Sequence, residues 1–129
     1  MEKILIVDDD ADILDLVGIL LPKHGFIIKT VINSEDAVQQ AGIFEPDLIL
    51  LDINIGSDGK EICKQLKSPG SLLKNVPVIL FSGAGDLEKQ MAECKADGFI
   101  QKPFDLLQLV DMIRQHTGTV LAHSQTVIS

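Results

Sequence analysis

Short apolar runs alternate with stretches of helical spacing along most of the chain. Runs of aliphatic and β-branched residues predict five strands, at Lys3–Val7, Phe26–Val31, Pro46–Asp52, Pro77–Phe81 and Gly98–Gln101. Between and after them, apolar residues three or four positions apart predict five amphipathic helices. Strands that alternate with helices form parallel sheets through right-handed crossovers. The pattern therefore predicts an α/β fold with helices on both faces of one sheet.

Polar residues at several helix starts predict N-terminal caps, because a short side-chain oxygen can accept a hydrogen bond from the first free backbone N–H groups. Asp10 is expected to cap the first helix and Asp105 the last. Ser34 is expected to cap a short second helix over Glu35–Ala41.

The composition is that of one acidic domain. The chain has 129 residues with 46% hydrophobic content, enough for a single core. We expect the domain to occupy residues 1–117 and residues 118–129, which show no helical period, to form a poorly ordered tail.

Charge and hydropathy exclude two classes of partner. The formal net charge of −8 argues against direct binding of nucleic acid, because such surfaces concentrate positive charge. No apolar run approaches the ~20 residues of a membrane span, and the N-terminus lacks the layout of a signal peptide. We therefore expect a cytoplasmic protein without membrane contact.

The two cysteines, Cys63 and Cys94, are expected to be reduced core residues. They lie 31 positions apart, with no Cys or His at metal-ligand spacing. The sequence thus supports neither a metal cluster nor a disulfide framework.

Polar residues follow or end four of the predicted strands. Asp8 and Asp9 follow the first strand, Asp52 ends the third, Ser82 follows the fourth and Lys102 follows the fifth. Because open α/β sheets bind their ligands at the carboxyl ends of the strands, these side chains are expected to lie together. Each has an ordinary explanation as a turn or surface residue, but the whole set indicates a functional site. Asp52, at the end of the most buried strand, is the first candidate for chemistry.

This set of side chains suits phosphoryl chemistry with a divalent cation. Carboxylates about 4 Å apart repel each other by roughly 4 kcal/mol at a surface-like dielectric, so three of them require a positive partner. Mg²⁺ suits best, because it takes a few carboxylate oxygens, keeps several waters and bridges to phosphate. Lys102 offers a fixed charge and Ser82 a hydroxyl to the remaining phosphoryl oxygens. A carboxylate oxygen would be the attacking atom, giving an aspartyl phosphate.

In type and order these residues resemble the response-regulator receiver domain of two-component signalling. The resemblance covers roughly residues 3–116 and rests on Asp8-Asp9, Asp52, Ser82-Gly83 and Lys102-Pro103. It implies a flavodoxin-like, doubly wound (βα)5 sandwich whose five-stranded parallel sheet has the order 2-1-3-4-5. It also implies a signalling phosphoacceptor that assists its own phosphorylation and dephosphorylation, rather than an enzyme.

The resemblance implies a phosphoacceptor and a magnesium site. Asp52 would accept the phosphoryl group from the phosphohistidine of a sensor histidine kinase or a phosphotransfer protein. Asp8, Asp9, Asp52 and the backbone carbonyl of Asn54 would hold Mg²⁺.

The resemblance also implies a conformational switch. Ser82 and Lys102 would bind the phosphoryl oxygens, and Ser82 with the aromatic Phe99 would change the surface made by the fourth helix, fifth strand and fifth helix. That surface would contact a downstream effector protein or domain, and a homodimer is a further candidate. Phe99 stands where Tyr is commoner in the family, and without a hydroxyl it should prefer a buried position.

The loop that follows Asp52 departs from the family pattern. Ile53–Gly59 lacks the proline typical four positions after the acceptor and is one residue shorter than usual before its glycine. The departure bears on the shape of the loop and on kinase contacts, not on the acceptor.

The main alternative is a small Mg²⁺-dependent phosphatase of haloacid-dehalogenase type. Asp8–Asp10 satisfies its D-x-D motif, with Asp8 as the nucleophile. That family needs another acidic motif after its lysine, whereas the sequence beyond Lys102 offers only Asp105 and Asp111, both on a predicted helix. A third hypothesis, an interaction module that cannot be phosphorylated, has no support because every core position is present.

Overall fold

The computed structural model of the chain describes residues 1–55, 59–83 and 85–118 and contains one parallel sheet. Its strands are β1 (Lys3–Val7), β2 (Ile27–Val31), β3 (Leu48–Asp52), β4 (Val78–Ser82) and β5 (Gly98–Gln101). They lie in the order β2-β1-β3-β4-β5, with every neighbouring pair parallel. The predicted fold class and strand order are therefore confirmed. The tail predicted for residues 118–129 lies outside the described residues, except for Gly118.

Helices cover both faces of the sheet. They are α1 (Ala11–Leu20), α2 (Ala37–Phe44), α3 (Gly59–Leu66), α4 (Leu87–Cys94) and α5 (Leu106–Thr117), and a short 3-10 helix follows α1 at Leu21–His24. One buried cluster joins α1 and α5 to the sheet, and a second joins α2, α3 and α4 to its other face. β3 and β4 are buried at every position, as expected for strands covered on both sides. None of the helices in the described ranges is long and apolar enough to span a bilayer.

The predicted caps of the first and last helices are confirmed. The Asp10 carboxylate accepts a hydrogen bond from the Asp12 N–H at 2.9 Å, and the Asp105 carboxylate accepts one from the Leu107 N–H at 2.9 Å. Both bonds satisfy backbone donors that the first helical turn leaves without intrahelical partners.

The prediction for the second helix is wrong, because a turn comes first. The Asp36 N–H donates to the Asn33 side chain at 3.1 Å, and the Ala37 N–H donates to the Ser34 carbonyl oxygen at 3.3 Å. α2 therefore begins at Ala37, and the N-cap position falls on Asp36 instead of Ser34.

β4 begins and ends one residue later than the sequence suggests. Pro77 has no N–H to donate to the strand ladder, so pairing starts at Val78 and continues to Ser82, which lies opposite Gln101. Asp52 is likewise the last residue of β3. The sheet, and not a loop, therefore fixes the backbone of both residues.

Candidate functional site

The three candidate acids lie together at the carboxyl edge of the sheet. Val7 pairs with Leu51 in the parallel register, so the next residue, Asp8, lies beside Asp52. One carboxylate oxygen from each of Asp8, Asp9 and Asp52 lies within 4.8 Å of the others. Asp8 and Asp52 are buried, whereas Asp9 is exposed.

Lys102 brings an ammonium group to this acidic cluster. Its Nζ lies 2.7 Å from Asp8 Oδ2 and 3.5 Å from Asp52 Oδ2. The same Nζ lies 4.7 Å from the centroid of the Phe81 ring, within the range of an attractive cation–π contact. The structure thus unites Lys102 with the predicted acids. It also adds Phe81, whose contact with Lys102 could not be predicted because the sequence shows Phe81 only as an apolar residue of a strand.

Three carboxylates and one ammonium leave a formal charge of −2 at the cluster. Lys102 most directly compensates Asp8, the nearer and more deeply buried of its two partners. A hard divalent cation would balance the remaining charge, and Mg²⁺ takes carboxylate oxygens of this kind. The donor set therefore fits magnesium.

Two backbone N–H groups orient the buried carboxylates. The Asp10 N–H donates to Asp8 Oδ1 at 2.9 Å, and the Asn54 N–H donates to Asp52 Oδ1 at 2.9 Å. In each carboxylate the other oxygen, Oδ2, is the atom that faces Lys102. Local bonds of this type hold a short side chain against its own backbone.

Ser82 is connected to the loop after β3 through Asn54. The Asn54 side-chain amide donates a hydrogen bond to Ser82 Oγ, which is buried at the end of β4. Sequence reasoning assigned Asn54 only a backbone role and missed this contact, because spacing does not show where an exposed loop side chain turns. Magnesium coordination by the Asn54 carbonyl stays a prediction.

Phe99 lies on the sheet face that α2, α3 and α4 cover. It pairs with Leu80 in the register of β4 and β5 and packs against the buried cluster of that face. Its ring is half-buried, so the burial expected from the missing hydroxyl is only partly reached. Its role as a switch stays a prediction.

Burial raises the pKa of the Asp52 carboxyl above its ordinary value, because desolvation disfavours the charged form. The hydrogen bond from the Asn54 N–H and the charge of Lys102 oppose this rise, and the neighbouring Asp8 carboxylate adds to it. Ionised Asp52 therefore costs the folded chain free energy.

Replacing Asp52 by asparagine is expected to stabilise the metal-free chain at neutral pH by about 0.5 to 2 kcal/mol. Because the pKa is raised in the folded state, the contribution of Asp52 to stability is present below the unfolded pKa and is lost as pH rises through the folded pKa. The variant escapes this loss. Urea unfolding should show a gap over the parent that widens with pH across the acidic range. The prediction would be contradicted if the difference in unfolding free energy between variant and parent did not change with pH, or if the exposed control Asp36→Asn showed the same difference.

The family model for the response regulator receiver domain matches residues 4–114 of the chain. The transcriptional regulatory protein PrrA of Mycobacterium leprae is 32% identical over 97% of this chain and 55% of its own length. PrrA of Mycobacterium tuberculosis is 31% identical with the same coverage. The chain therefore spans about half the length of these curated relatives.

Solved structures share the fold. The signal receiver domain of a signal transduction histidine kinase from Syntrophus aciditrophicus has a TM-score of 0.82 and 30% identity, covering 93% of this chain and 92% of that one. A putative response regulator from Chloroflexus aurantiacus has a TM-score of 0.82 and 26% identity, covering 91% and 98%. Nearly the whole chain therefore superimposes on receiver domains.

The phosphatase alternative finds no support in these comparisons or in the geometry. Its nucleophile would be Asp8, which is less exposed than Asp52 and forms the closer contact with Lys102, at 2.7 Å against 3.5 Å. Asp105, one of the two acids beyond Lys102, caps α5.

Strand order, the arrangement of the strand-end residues and the sequence match agree on one assignment. The chain belongs to the response regulator receiver domain family of two-component signalling.

Proposed function

We propose that the chain accepts a phosphoryl group on Asp52 from the phosphohistidine of a histidine kinase or a phosphotransfer protein. The observation that carries the proposal is the setting of the Asp52 carboxylate. One oxygen is held by the Asn54 N–H at 2.9 Å, and the other lies 3.5 Å from the Lys102 ammonium. A carboxylate fixed in this way can attack a phosphorus atom without first losing rotational freedom.

Magnesium is the proposed cofactor, held by Asp8, Asp9 and Asp52 with the backbone carbonyl of Asn54. The close approach of the three carboxylates and their uncompensated charge support this set. When bound, the ion would supply positive charge to the oxygens of the transferred group. Asp9, the exposed member, gives the cluster an open side.

Lys102 and Ser82 are the residues proposed to hold the transferred group. The Lys102 Nζ is already near Asp52 Oδ2, so phosphoryl oxygens at that position would form charge-assisted hydrogen bonds with it. Ser82 Oγ accepts a hydrogen bond from the Asn54 amide at the end of β4. Its hydroxyl is a side-chain group that can donate to a phosphoryl oxygen.

Treating the chain with acetyl phosphate and Mg²⁺ tests this function. Intact mass is expected to rise by one phosphoryl group, and hydroxylamine should remove it, because an acyl phosphate is attacked by that nucleophile. EDTA should prevent the reaction. No added mass with Mg²⁺ present, or an adduct stable to hydroxylamine, would reject the proposal.

We further propose that phosphorylation alters the surface made by α4, β5 and α5. Ser82 ends β4, so its movement toward a phosphoryl group would pull on the segment that leads to α4. Phe99 on β5 is half-buried and still has exposed surface to remove from water. An effector would read this change only if it binds the two states unequally.

Leu107 is the candidate docking residue for the effector or for a second copy of the chain. It is 62% exposed on α5. Met112 also falls off the inward apolar stripe that spacing predicts for this helix, so we expect it to be exposed, but it is half-buried against the core cluster under α1 and α5. That expectation is wrong, and single exposed leucines are ordinary on protein surfaces. The proposal therefore rests on the switch, not on hydrophobicity.

Adding beryllofluoride with Mg²⁺, as a mimic of the phosphoryl group, tests the switch. Backbone amide shifts are expected across residues 85–107 as well as at the acidic cluster. Asp52→Asn serves as the control, in which the shifts across residues 85–107 should vanish. Shifts confined to residues 8–9 and 52–54 in the parent would exclude the switch while leaving the phosphoacceptor assignment intact.

A further inference from the structure

The two cysteines, distant in sequence, meet between α3 and α4. Cys63 lies on α3 and Cys94 is the last residue of α4; both are free thiols, 0% and 1% exposed. The Cys63 thiol donates to the carbonyl oxygen of Cys94 at 3.4 Å, and the two thiols are near enough to shift each other's pKa in opposite directions. Folding thus creates a thiol pair that the spacing did not reveal.

The two thiols are chemically unequal. Hydrogen bonding by the Cys63 thiol lowers the pKa of Cys94, and the Ala96 N–H lowers it further, whereas burial raises it. For Cys63, hydrogen bonding with Cys94 and burial both raise the pKa. Since the thiolate is the nucleophile in disulfide exchange, Cys94 is the attacking partner and Cys63 the one that resolves.

Cys94 borders a cleft with positively charged walls. The cleft has a volume of about 270 Å³, and its lining includes Lys64, Lys67 and Lys95 with Glu93. Lys67 is paired with Asp97, and the other two lysines add further positive charge that favours an anionic molecule. Because helix ends open more readily than their middles, fraying at the end of α4 would bring the Cys94 thiol into this cleft.

Contacts near the pair tie the end of α3 and the segment after α4 to the same point of the sheet. Lys67, four residues after Cys63, donates to Asp97 Oδ2 at 2.7 Å, and that carboxylate also accepts the Val78 N–H at 2.9 Å. Through these bonds, the residues that follow Cys63 and those that follow Cys94 are both anchored to the start of β4. Within this anchored region the Cys63 sulfur contacts the Cys94 carbonyl oxygen at 3.4 Å, and a disulfide needs the two Cα atoms to come to roughly 4.4 to 6.8 Å of each other.

We propose that Cys63 and Cys94 form a reversible disulfide when the chain meets a small anionic disulfide, R–S–S–R. The Cys94 thiolate attacks one sulfur, which breaks the R–S–S–R bond and leaves Cys94–S–S–R and R–S⁻. That R–S⁻ takes the Cys63 proton, and the Cys63 thiolate displaces the second R–S⁻ from Cys94. Solvent protonates it, so two protein thiols are oxidised and one small disulfide is reduced to two thiols.

The bridge would fasten α4 to α3. Because α4 belongs to the proposed output surface, oxidation would restrain the phosphorylation switch; this consequence rests on the proposed function, whereas the disulfide itself does not. The disulfide is therefore tested without any phosphoryl donor, so that either proposal can fail alone.

The experiment exposes the full chain, folded and at neutral pH, to glutathione disulfide. After an acid quench, the chain is unfolded, alkylated with N-ethylmaleimide and weighed by intact mass spectrometry. We expect the mass to fall by two hydrogen atoms, with complete loss of alkylation that dithiothreitol restores. Cys63→Ser should stop at one glutathione adduct, and Cys94→Ser should be alkylated once and carry none.

Several outcomes would overturn the proposal. The first is that both thiols are still alkylated after exposure to glutathione disulfide. The others are a disulfide that links two chains, and an internal disulfide that forms only when the chain is unfolded in urea. If circular dichroism shows that a serine variant does not fold, the result for the parent chain tests the proposal by itself. Its two cysteines are the only ones in the sequence, so any internal disulfide must join them, and the folded and urea samples separate the two routes.

Discussion

Replacing Lys102 by methionine is expected to destabilise the metal-free chain by about 3 kcal/mol, because it leaves a buried carboxylate without its cation. Asp8 is 0% exposed and would lose the ammonium at 2.7 Å while Asp52 remains near enough to repel it. The Asp10 N–H would still donate to Asp8. The Lys102 side chain is 18% exposed, which places the loss at the lower end of the range for a broken buried pair.

Urea unfolding of the parent, Lys102→Met and Lys60→Met measures this loss. Lys60 is a matched control, since its ion pair with Glu93 is 3.5 Å long and both side chains are about as exposed as typical surface residues, at 40% and 44%. Its loss should stay within about 0.5 kcal/mol. Mg²⁺ should stabilise Lys102→Met more than the parent. Equal losses in the two variants would show that Lys102 does not compensate a buried charge.

Replacing Asp9 by asparagine is expected to weaken Mg²⁺ binding at least about tenfold. A tenfold change needs roughly 1.4 kcal/mol, and the attraction between a divalent ion and one carboxylate exceeds that at a surface-like dielectric. Asp9 is exposed, so its removal should leave the fold intact, unlike changes at Asp8. The loss of affinity would therefore reflect metal binding and not a change in the stability of the fold.

Titration calorimetry and magnesium-dependent thermal unfolding measure the two affinities. At about one hundred times its dissociation constant, Mg²⁺ should add about 2.7 kcal/mol to the stability of the parent and much less to that of Asp9→Asn. Asp12→Asn removes another exposed carboxylate, from the first turn of α1, and should behave as the parent. Unchanged affinity in Asp9→Asn would remove Asp9 from the magnesium ligands.

Much of the fold could be predicted because it depends on hydrophobic pattern. Up to their last residues, Asp52 and Ser82, β3 and β4 are unbroken apolar runs, which are typical of strands covered on both faces, and both proved fully buried. The acidic cluster could be predicted for a related reason. The carboxyl ends of parallel strands share one edge, so Asp8 and Asp52 had to lie close once the sheet order was known.

Contacts that depend on side-chain direction could not be predicted. The Asn54 amide turns to Ser82, and the Lys102 ammonium lies over Phe81; neither follows from spacing or residue type. The thiol pair was missed because its members come from two helices whose packing only the fold determines. The shortened loop after Asp52 also stays a prediction, since residues 56–58 lie outside the described part of the chain.

The turn at residues 34–37, just before α2, shows that a residue type favoured at N-caps does not always cap a helix. Ser34 is a good cap by residue type, yet the chain uses its backbone carbonyl in a turn and starts the helix at Ala37. The Asn33 side chain accepts the Asp36 N–H, so a turn occupies the residues that would have formed the first turn of the helix. This competing turn therefore outweighed the local preference for a cap.

The claim that Asp52 carries the phosphoryl group is tested most directly by mass spectrometry of three proteins treated side by side with acetyl phosphate and Mg²⁺. The parent and the surface control Asp36→Asn should each gain one phosphoryl group, and peptide mapping should place it on Asp52. Asp52→Asn should gain none. A phosphoryl group retained by Asp52→Asn, or mapped to Asp8 in the parent, would contradict the assignment.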